Sequence, residues 1–160
     1  MKSAAIEVPP DAGEIYAQER GKPVPGYTHS RIQSRLIKLL PDNAGFEVLS
    51  ELNLELNGWR CVPDISIFRR GTILPGNDVA WVREVPLATV EIISPSQTME
   101  EMMAKVNRLL AEGVPSVWLV VPAVRVVSIF QKDQPPLSAL QGDLTDPATG
   151  MTVNVGQLFV

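Results

Sequence analysis

The sequence predicts an α/β domain with a mixed central β-sheet flanked by helices, and three features of the chain carry this prediction. Residues 87–93 form an apolar run, residues 97–112 repeat apolar side chains at helical spacing, and residues 117–121 form a second apolar run. A strand, a helix and a strand in this order predict a parallel crossover unit. Asn57 and Gly58 predict a tight antiparallel hairpin, so the sheet should contain both strand directions.

Composition limits the class of protein. The 160 residues fit one domain, and 45% hydrophobic with 20% charged residues is typical of a soluble globular chain. No apolar run approaches the roughly 20 residues that cross a bilayer, and the first residues lack the apolar stretch of a signal peptide. The single cysteine, Cys61, excludes an internal disulfide and fits a cytoplasmic location. A net charge of −4 argues against tight, non-specific DNA binding over the whole surface.

The first element of the domain is a helix that follows an N-terminal arm. The arm, residues 1–27, is rich in proline, glycine and polar residues and is expected to be mostly irregular, with at most one short helix near 13–20. A single domain is predicted over 28–160. Thr28 is the expected N-cap of a helix over 29–40, where apolar side chains recur at helical spacing.

A hairpin is predicted after residues 41–43, whose Pro-Asp-Asn sequence stops the first helix. One strand covers 46–56 and the other covers 59–68, joined by the Asn-Gly turn. Residues 69–85 then form a long connection with several glycines and prolines. Loops of this length in compact domains are often functional.

The second half of the chain completes the sheet. Ser94 or Ser96 is expected to cap the helix over 97–112. The core face of that helix carries methionines and other apolar side chains, namely Met99, Met102, Met103, Val106, Leu109 and Leu110. After the second apolar run, a turn leads to a strand over 125–130, and the tail ends in an apolar stretch over 153–160 that is expected to be a last strand.

Two acids lie in strands that are otherwise apolar. Glu91 interrupts the first apolar run, and Asp64 in the hairpin points away from the apolar side of its strand or into a pocket. A buried carboxylate is costly unless a cation pairs with it. Mg²⁺ and Mn²⁺ prefer hard oxygen ligands, so Asp64 and Glu91 are candidate metal ligands. The backbone carbonyl of Ile92 or Ile93 is a candidate third ligand. Lys105 on the next helix would assist the attacking water in hydrolysis of a phosphodiester.

The order of these residues resembles the PD-(D/E)xK nuclease superfamily. Pro63-Asp64 is followed by Glu91 and then by a lysine. In the simplest form of the pattern the lysine lies two residues after the glutamate, and here that position is Ile93. Lys105 on the following helix resembles a branch in which the lysine has moved. That branch is the Uma-two family, described as putative restriction endonucleases.

The resemblance covers about residues 28–160 and is most specific over 87–122. Its motifs there are Glu91-Ile92-Ile93-Ser94-Pro95-Ser96, the lysine at 105 and Gly113-Val114-Pro115. The resemblance implies a restriction-endonuclease-like core, dependence on Mg²⁺ or Mn²⁺, and DNA as the substrate. The chain departs from the family at Val121, where an aspartate is usual, and at Leu109, where an aromatic residue is usual.

Several other polar residues are candidates for weaker roles. Glu51, Glu101 and His29 are accessory candidates near the metal, although a capping or surface role is the favoured interpretation of a lone histidine at a helix start. Basic residues share one face of the first helix, which is usually a solvated face and less often a DNA contact; they are Arg31, Arg35 and Lys38.

The sequence also permits other interpretations of the site and of the function. Glu91 and Lys105 could form a structural ion pair without chemistry. The acidic pI of about 5.0 and the missing aspartate at Val121 also fit a catalytically inactive nuclease fold that acts as a binding or assembly module. A hydrolase of another phosphodiester such as RNA is a third possibility. A homodimer is plausible through the apolar stretch over 153–160 and the connection over 69–85.

Overall fold

The computed structural model describes residues 11–40, 45–74, 76 and 78–160. The helices and strands occur in the order α1 (Ala12–Arg20), α2 (Tyr27–Leu39), β1 (Phe46–Ser50), β2 (Leu54–Leu56), β3 (Trp59–Cys61), β4 (Ile65–Arg69), β5 (Ala88–Ile92), α3 (Met99–Ala111), β6 (Ser116–Val121), β7 (Val126–Phe130), β8 (Leu137–Ala139), β9 (Asp143–Thr145), β10 (Thr152–Asn154) and α4 (Val155–Leu158). A short 3₁₀ turn links β6 to β7. Among the described residues, no helix is long and apolar enough to cross a membrane.

Six strands form the central sheet in the order β1-β4-β5-β6-β7-β8. β5 and β6 are parallel, and the other neighbouring pairs in this sheet are antiparallel. The crossover from β5 through α3 to β6 confirms the predicted parallel unit, and with it the predicted mixed sheet flanked by helices. β6 lies inside the sheet and under helices, which explains its nearly continuous apolar sequence.

Helices cover both faces of the sheet and create two apolar clusters. α2 and α4 pack on one face over Val90 and Trp118. α3 and the β2–β3 hairpin pack on the other face over Val117. Because side chains alternate along a strand, Glu91 points toward the α3 face while Val90 points toward α2.

The predicted hairpin is present but shorter than expected. Asn57 and Gly58, both with positive φ, join β2 to β3 in a separate two-stranded sheet. The predicted strand over 46–56 is broken at Glu51, whose left-handed backbone with φ of 53° turns the chain away from β1. The predicted strand over 59–68 is broken at residues 62–64, between β3 and β4. β1 therefore pairs with β4 in the central sheet, from Phe46 opposite Arg69 to Ser50 opposite Ile65. The expectation of two long strands was wrong.

The two long helices begin at residues other than those predicted. α2 has Gly26 as its N-cap and includes Thr28 in its first turn. α3 is capped by Thr98, whose side chain accepts from the backbone N–H of Glu101, so neither Ser94 nor Ser96 caps it. The predicted stop at 41–43 lies outside the described residues, and α2 ends at Leu39.

The methionine face of α3 is only partly buried. Met102 is 2% exposed and Leu109 is fully buried, whereas Met99 at the first turn is 47% exposed. Met99 was therefore wrongly placed in the core, because the start of α3 extends beyond the sheet.

The connection between β4 and β5 is attached to the hairpin. Val82 forms a parallel bridge with Leu54, with a hydrogen bond of 2.8 Å from Glu55 N–H to the Val82 carbonyl. The middle of the predicted 69–85 loop includes positions 75 and 77, which lie outside the described residues.

The C-terminal segment is a strand followed by a helix, not the single strand expected over 153–160. α4 starts after Asn154, whose side chain accepts from the backbone N–H of Gln157. Val153, Val155 and Leu158 are buried in the cluster under α2. Their apolar surface is used within the chain, so the structure does not support the homodimer surface predicted there.

Replacing Leu109 with alanine should lower the free energy of unfolding by about 2–5 kcal/mol, because it opens a cavity in a filled cluster. Met99→Ala on the same helix is the matched control and should change that free energy by less than about 0.5 kcal/mol. Urea denaturation of both variants measures the difference. Equal losses would contradict the orientation of α3 described here.

Candidate active site

Asp64 and Glu91 face each other where β4 meets β5. β4 begins at Ile65, which pairs with Val90, so continuing the antiparallel register places Asp64 opposite Glu91. The Asp64 carboxylate accepts a hydrogen bond of 2.7 Å from the backbone N–H of Ile92. Asp64 is 1% exposed and Glu91 is 2% exposed. The structure thus brings the two predicted acids together in a buried position.

Lys105 reaches the same point from α3. Its ammonium donates to Glu91 Oε2 at 2.8 Å and to the carbonyl of Val62 at 3.5 Å. The start of α3 is fixed by a capping box, in which Thr98 and Glu101 each accept from the other's backbone N–H. Glu101, an accessory candidate, is exposed and serves in this cap. The cap orients the helix that delivers Lys105.

A second lysine, Lys22, lies among the acids, and no sequence pattern predicted it. Lys22 forms ion pairs with Asp64 Oδ1 and with both carboxylate oxygens of Glu51, each of the latter at 3.1 Å. Its neighbour Arg20 donates to the Glu51 carboxylate at 3.1 Å. Gly21, with φ of 63°, ends α1 and turns the chain so that Lys22 points inward. The arm therefore contributes a buried cation to the site.

Glu51, another accessory candidate, joins the arm to the acids. Its left-handed backbone ends β1, and its N–H donates to the Asp64 carbonyl at 3.1 Å. Gln33 of α2 donates to a carboxylate oxygen of Glu51 at 3.1 Å and to the carbonyl of Asp64 at 2.8 Å. These bonds fix Glu51 beside Asp64.

His29 is buried, so its predicted capping or surface role was wrong. Its Nδ1 lies 3.1 Å from Ser94 Oγ, and its Nε2 lies 3.1 Å from Asp64 Oδ1. Nε2 has no hydrogen-bond partner among the described residues. Donor atoms of His29, Glu51 and Asp64 all lie within 4.8 Å of one another, which is a spacing that one metal ion spans.

The basic residues of α2 lie on another side of the helix from His29 and Gln33. Arg31 donates to the Val160 carbonyl at 3.0 Å, and Arg35 donates to the Leu158 carbonyl at 3.5 Å. Lys38 is exposed. Arg31 and Arg35 therefore attach the C-terminal segment, and contact of this face with DNA stays a prediction.

Burial and neighbouring charges move the pKa values of the two acids apart. Burial raises the pKa of Glu91 to about 7, although Lys105 opposes the shift and the charge of Asp64 adds to it. Burial acts in the same direction on Asp64, but contacts with His29 and Lys22 outweigh it and hold the pKa of Asp64 below its usual value. The site thus combines an ionised aspartate with a glutamate that exchanges its proton near neutral pH.

A small cavity is lined by both acids, and a larger cleft adjoins it. The cavity, of about 10 Å³, is lined by Lys22, His29, Asp64, Glu91 and Lys105, with Pro23, Ile92, Ser94 and Gln97. The cleft, of about 720 Å³, is open to solvent and lies between the arm, β3 and α3. Lys22 and Lys105 line both spaces, so they stand at the boundary between solvent and the acids.

Three buried polar atoms in this region have no hydrogen-bond partner among the described residues: Glu91 Oε1, His29 Nε2 and Arg20 Nε. Cys61 lies close by on β3 and is buried, and burial raises the pKa of its thiol to about 12. A thiol of this kind is neutral at physiological pH and is a poor nucleophile.

No curated protein matches the chain. The crystal structure of a putative nuclease belonging to DUF820 from Anabaena variabilis ATCC 29413 is similar, with a TM-score of 0.73 and 24% sequence identity over 86% of this chain and 83% of that chain. The DrdV–DNA complex has a TM-score of 0.43 and 12% identity over 91% of this chain and 11% of that chain, which is too distant to support an argument.

The first similarity shows that the two proteins share a fold, in agreement with the predicted restriction-endonuclease-like core. A family model described as a putative restriction endonuclease matches residues 4–155, a range that includes most of the arm as well as the domain. The chain therefore belongs to the Uma2 family, the family that its motifs resemble.

Proposed function

We propose that this chain is a DNA endonuclease that depends on Mg²⁺ or Mn²⁺, with Asp64, Glu91 and Lys105 as its reactive residues. One observation carries the proposal: two fully buried carboxylates face each other across β4 and β5, and a lysine from α3 is bound to one of them. Burying two carboxylates together is unfavourable unless cations compensate their charge. A pair of carboxylates that is unfavourable to bury is more typical of a functional site than of a purely structural one.

The donor atoms fit a divalent ion. Glu91 Oε1 is buried without a hydrogen-bond partner among the described residues, so it is free to bind a cation. The N–H of Ile92 points to Asp64, and its carbonyl points to the same edge of β5 because both groups of a strand residue share one edge. We call Asp64, Glu91 and the Ile92 carbonyl the strand site. Its oxygen ligands suit Mg²⁺ or Mn²⁺.

The residues of the strand site and Lys105 would have different roles in phosphodiester hydrolysis. A bound divalent ion would polarise a phosphoryl oxygen and make a bound water more acidic. Asp64 is kept ionised by the Ile92 N–H, His29 and Lys22, so it is ready to hold a cation. The ammonium of Lys105 faces both Glu91 and the cleft, where it would orient the attacking water and neutralise charge that develops on the phosphate.

The cleft offers a route for a nucleic acid strand to the strand site. Its walls carry the cations Arg20, Arg60 and Lys105 together with the aromatic ring of Trp59. Phosphates bind cations and bases stack on aromatic rings, so this mixture suits a polynucleotide. The lining holds four cations, Arg20, Lys22, Arg60 and Lys105, against the single acid Glu101, so a phosphate would meet cations here although the net charge of the chain is −4.

Cleavage of supercoiled plasmid tests the proposal. Wild type is expected to nick the plasmid in Mg²⁺ or Mn²⁺, and Asp64→Asn or Lys105→Met is expected to lower the rate at least a hundredfold, roughly the effect of losing one charged group from a preorganised site. Glu100→Gln and Lys132→Met, at exposed positions, are matched controls and should retain the wild-type rate. Gel electrophoresis of the plasmid forms measures the rates.

Full activity of Asp64→Asn would refute the assignment of the site. Wild type that binds no Mn²⁺ and cuts neither plasmid nor a generic RNA would instead identify a non-catalytic binding module.

The affinity for Mn²⁺ should rise with pH up to about 7 and then level off. Glu91 has a pKa of about 7, so below that pH a bound ion must displace its proton, whereas Asp64 is already ionised. The slope below pH 7 should approach tenfold per pH unit. Titration calorimetry between pH 5.5 and 8 in two buffers of different ionisation enthalpy measures affinity and proton release.

Glu91→Gln is the matched variant for that titration. It should bind Mn²⁺ more weakly and lose the pH dependence in this range, because no proton is displaced. Wild-type affinity that is constant between pH 5.5 and 8 would show that Glu91 is not a ligand.

A further inference from the structure

We propose that Lys22 is a displaceable occupant of a second cation site, formed by His29, Glu51 and Asp64, and that a divalent ion such as Mn²⁺ enters this site when Lys22 leaves. We call these three residues the arm site, because the N-terminal arm supplies its occupant. The arm site shares Asp64 with the strand site, so the inference deepens the proposed function and rests on it for the role of Asp64.

The surroundings of the Lys22 ammonium are those of a bound cation. It contacts three carboxylate oxygens, one from Asp64 and two from Glu51, and its side chain is 6% exposed. Divalent ions such as Mg²⁺ and Mn²⁺ take ligands of the same kind. Lys22 therefore marks a point in the molecule where positive charge is favoured and where carboxylates already converge.

The position of His29 is separate evidence that a metal ion can bind beside Asp64. Its side chain is 4% exposed, and its Nε2 faces the Asp64 carboxylate without forming a hydrogen bond to any described residue. Its other ring nitrogen, Nδ1, is held by Ser94 at 3.1 Å. Metal-binding histidines are typically oriented by a partner at the second nitrogen. Ser94 provides that partner.

The arm is attached in a way that permits Lys22 to leave. No side chain of α1 is buried, and neither apolar cluster contains a residue of α1 among its described members. The arm is bound instead through polar contacts to Glu51 from Arg20 and Lys22, and through Lys22 to Asp64. Ion pairs exchange one cation for another without loss of apolar packing, so a divalent ion competes directly with the lysine.

The ligand chemistry predicts which ions enter. An imidazole nitrogen beside two carboxylates favours Mn²⁺ over Mg²⁺, because Mg²⁺ strongly prefers oxygen ligands. The strand site, built of oxygens alone, has no such preference. The two sites are therefore distinguished by the nitrogen ligand.

Pulsed electron paramagnetic resonance of wild-type protein at saturating Mn²⁺ tests the inference without any variant. His29 is the single histidine of the chain, so untagged protein gives an unambiguous assignment. We expect a ¹⁴N coupling from an imidazole bound to Mn²⁺, which disappears in His29→Gln. Bound Mn²⁺ with no ¹⁴N coupling would overturn the arm site and leave the strand site intact.

A set of Lys22 variants tests the competition. Lys22→Met should bind Mn²⁺ at least tenfold more tightly than wild type by calorimetry. Adding Glu51→Gln should abolish the gain, whereas adding Glu91→Gln, which alters only the strand site, should preserve it. Arg20→Met removes a neighbouring cation that is paired with Glu51 and not with Asp64, and it should give a much smaller gain.

Unchanged Mn²⁺ affinity in Lys22→Met, or a gain that depends on Glu91 and not on Glu51, would overturn the inference. If Lys22→Met folds poorly, its melting temperature should rise with added Mn²⁺ by more than that of wild type. An equal rise in both proteins would also count against a site that Lys22 occupies. Plasmid cleavage is not used as a readout, so these outcomes are separate from failure of the proposed function.

Discussion

The buried charge of Asp64 is the constraint on which the rest of the site depends. Its carboxylate is 1% exposed, and an ionised acid at such a position is stable only with strong local compensation. Every polar contact around it supplies that compensation: the Ile92 N–H, the Lys22 ammonium and the His29 ring. Three segments of the chain, namely the arm, α2 and β5, thereby converge on the side chain that precedes β4.

The central sheet provides the geometry that this convergence needs. The antiparallel register of β4 and β5 places the two acids opposite each other, and the parallel crossover places α3 above them. The capping box at Thr98 then sets where Lys105 lies along its helix. The left-handed backbone at Glu51 also positions a side chain of the site. It separates β1 from the hairpin and leaves the Glu51 carboxylate beside Asp64.

Patterns of local sequence predicted the centre of this fold but not its periphery. The apolar strands and the crossover helix were predictable because each is a continuous periodic segment, and the acids stood out because they interrupt one. Lys22 was not predictable, since its contact with Asp64 spans 42 positions of sequence and no repeat surrounds it. The burial of His29 was missed for the same reason. The helix α4 was missed because its four residues are too few to distinguish a strand from a helix turn.

We propose that the Asp64 carboxylate is the cation-binding centre of the protein. Anomalous scattering from crystals saturated with Mn²⁺ tests this proposal most directly, because it locates the ion without reference to activity. We expect an anomalous peak within coordination distance of an Asp64 oxygen, with Glu91 or His29 as a further ligand. Saturated crystals in which Lys22 still contacts Asp64 and no peak lies beside that carboxylate would contradict it.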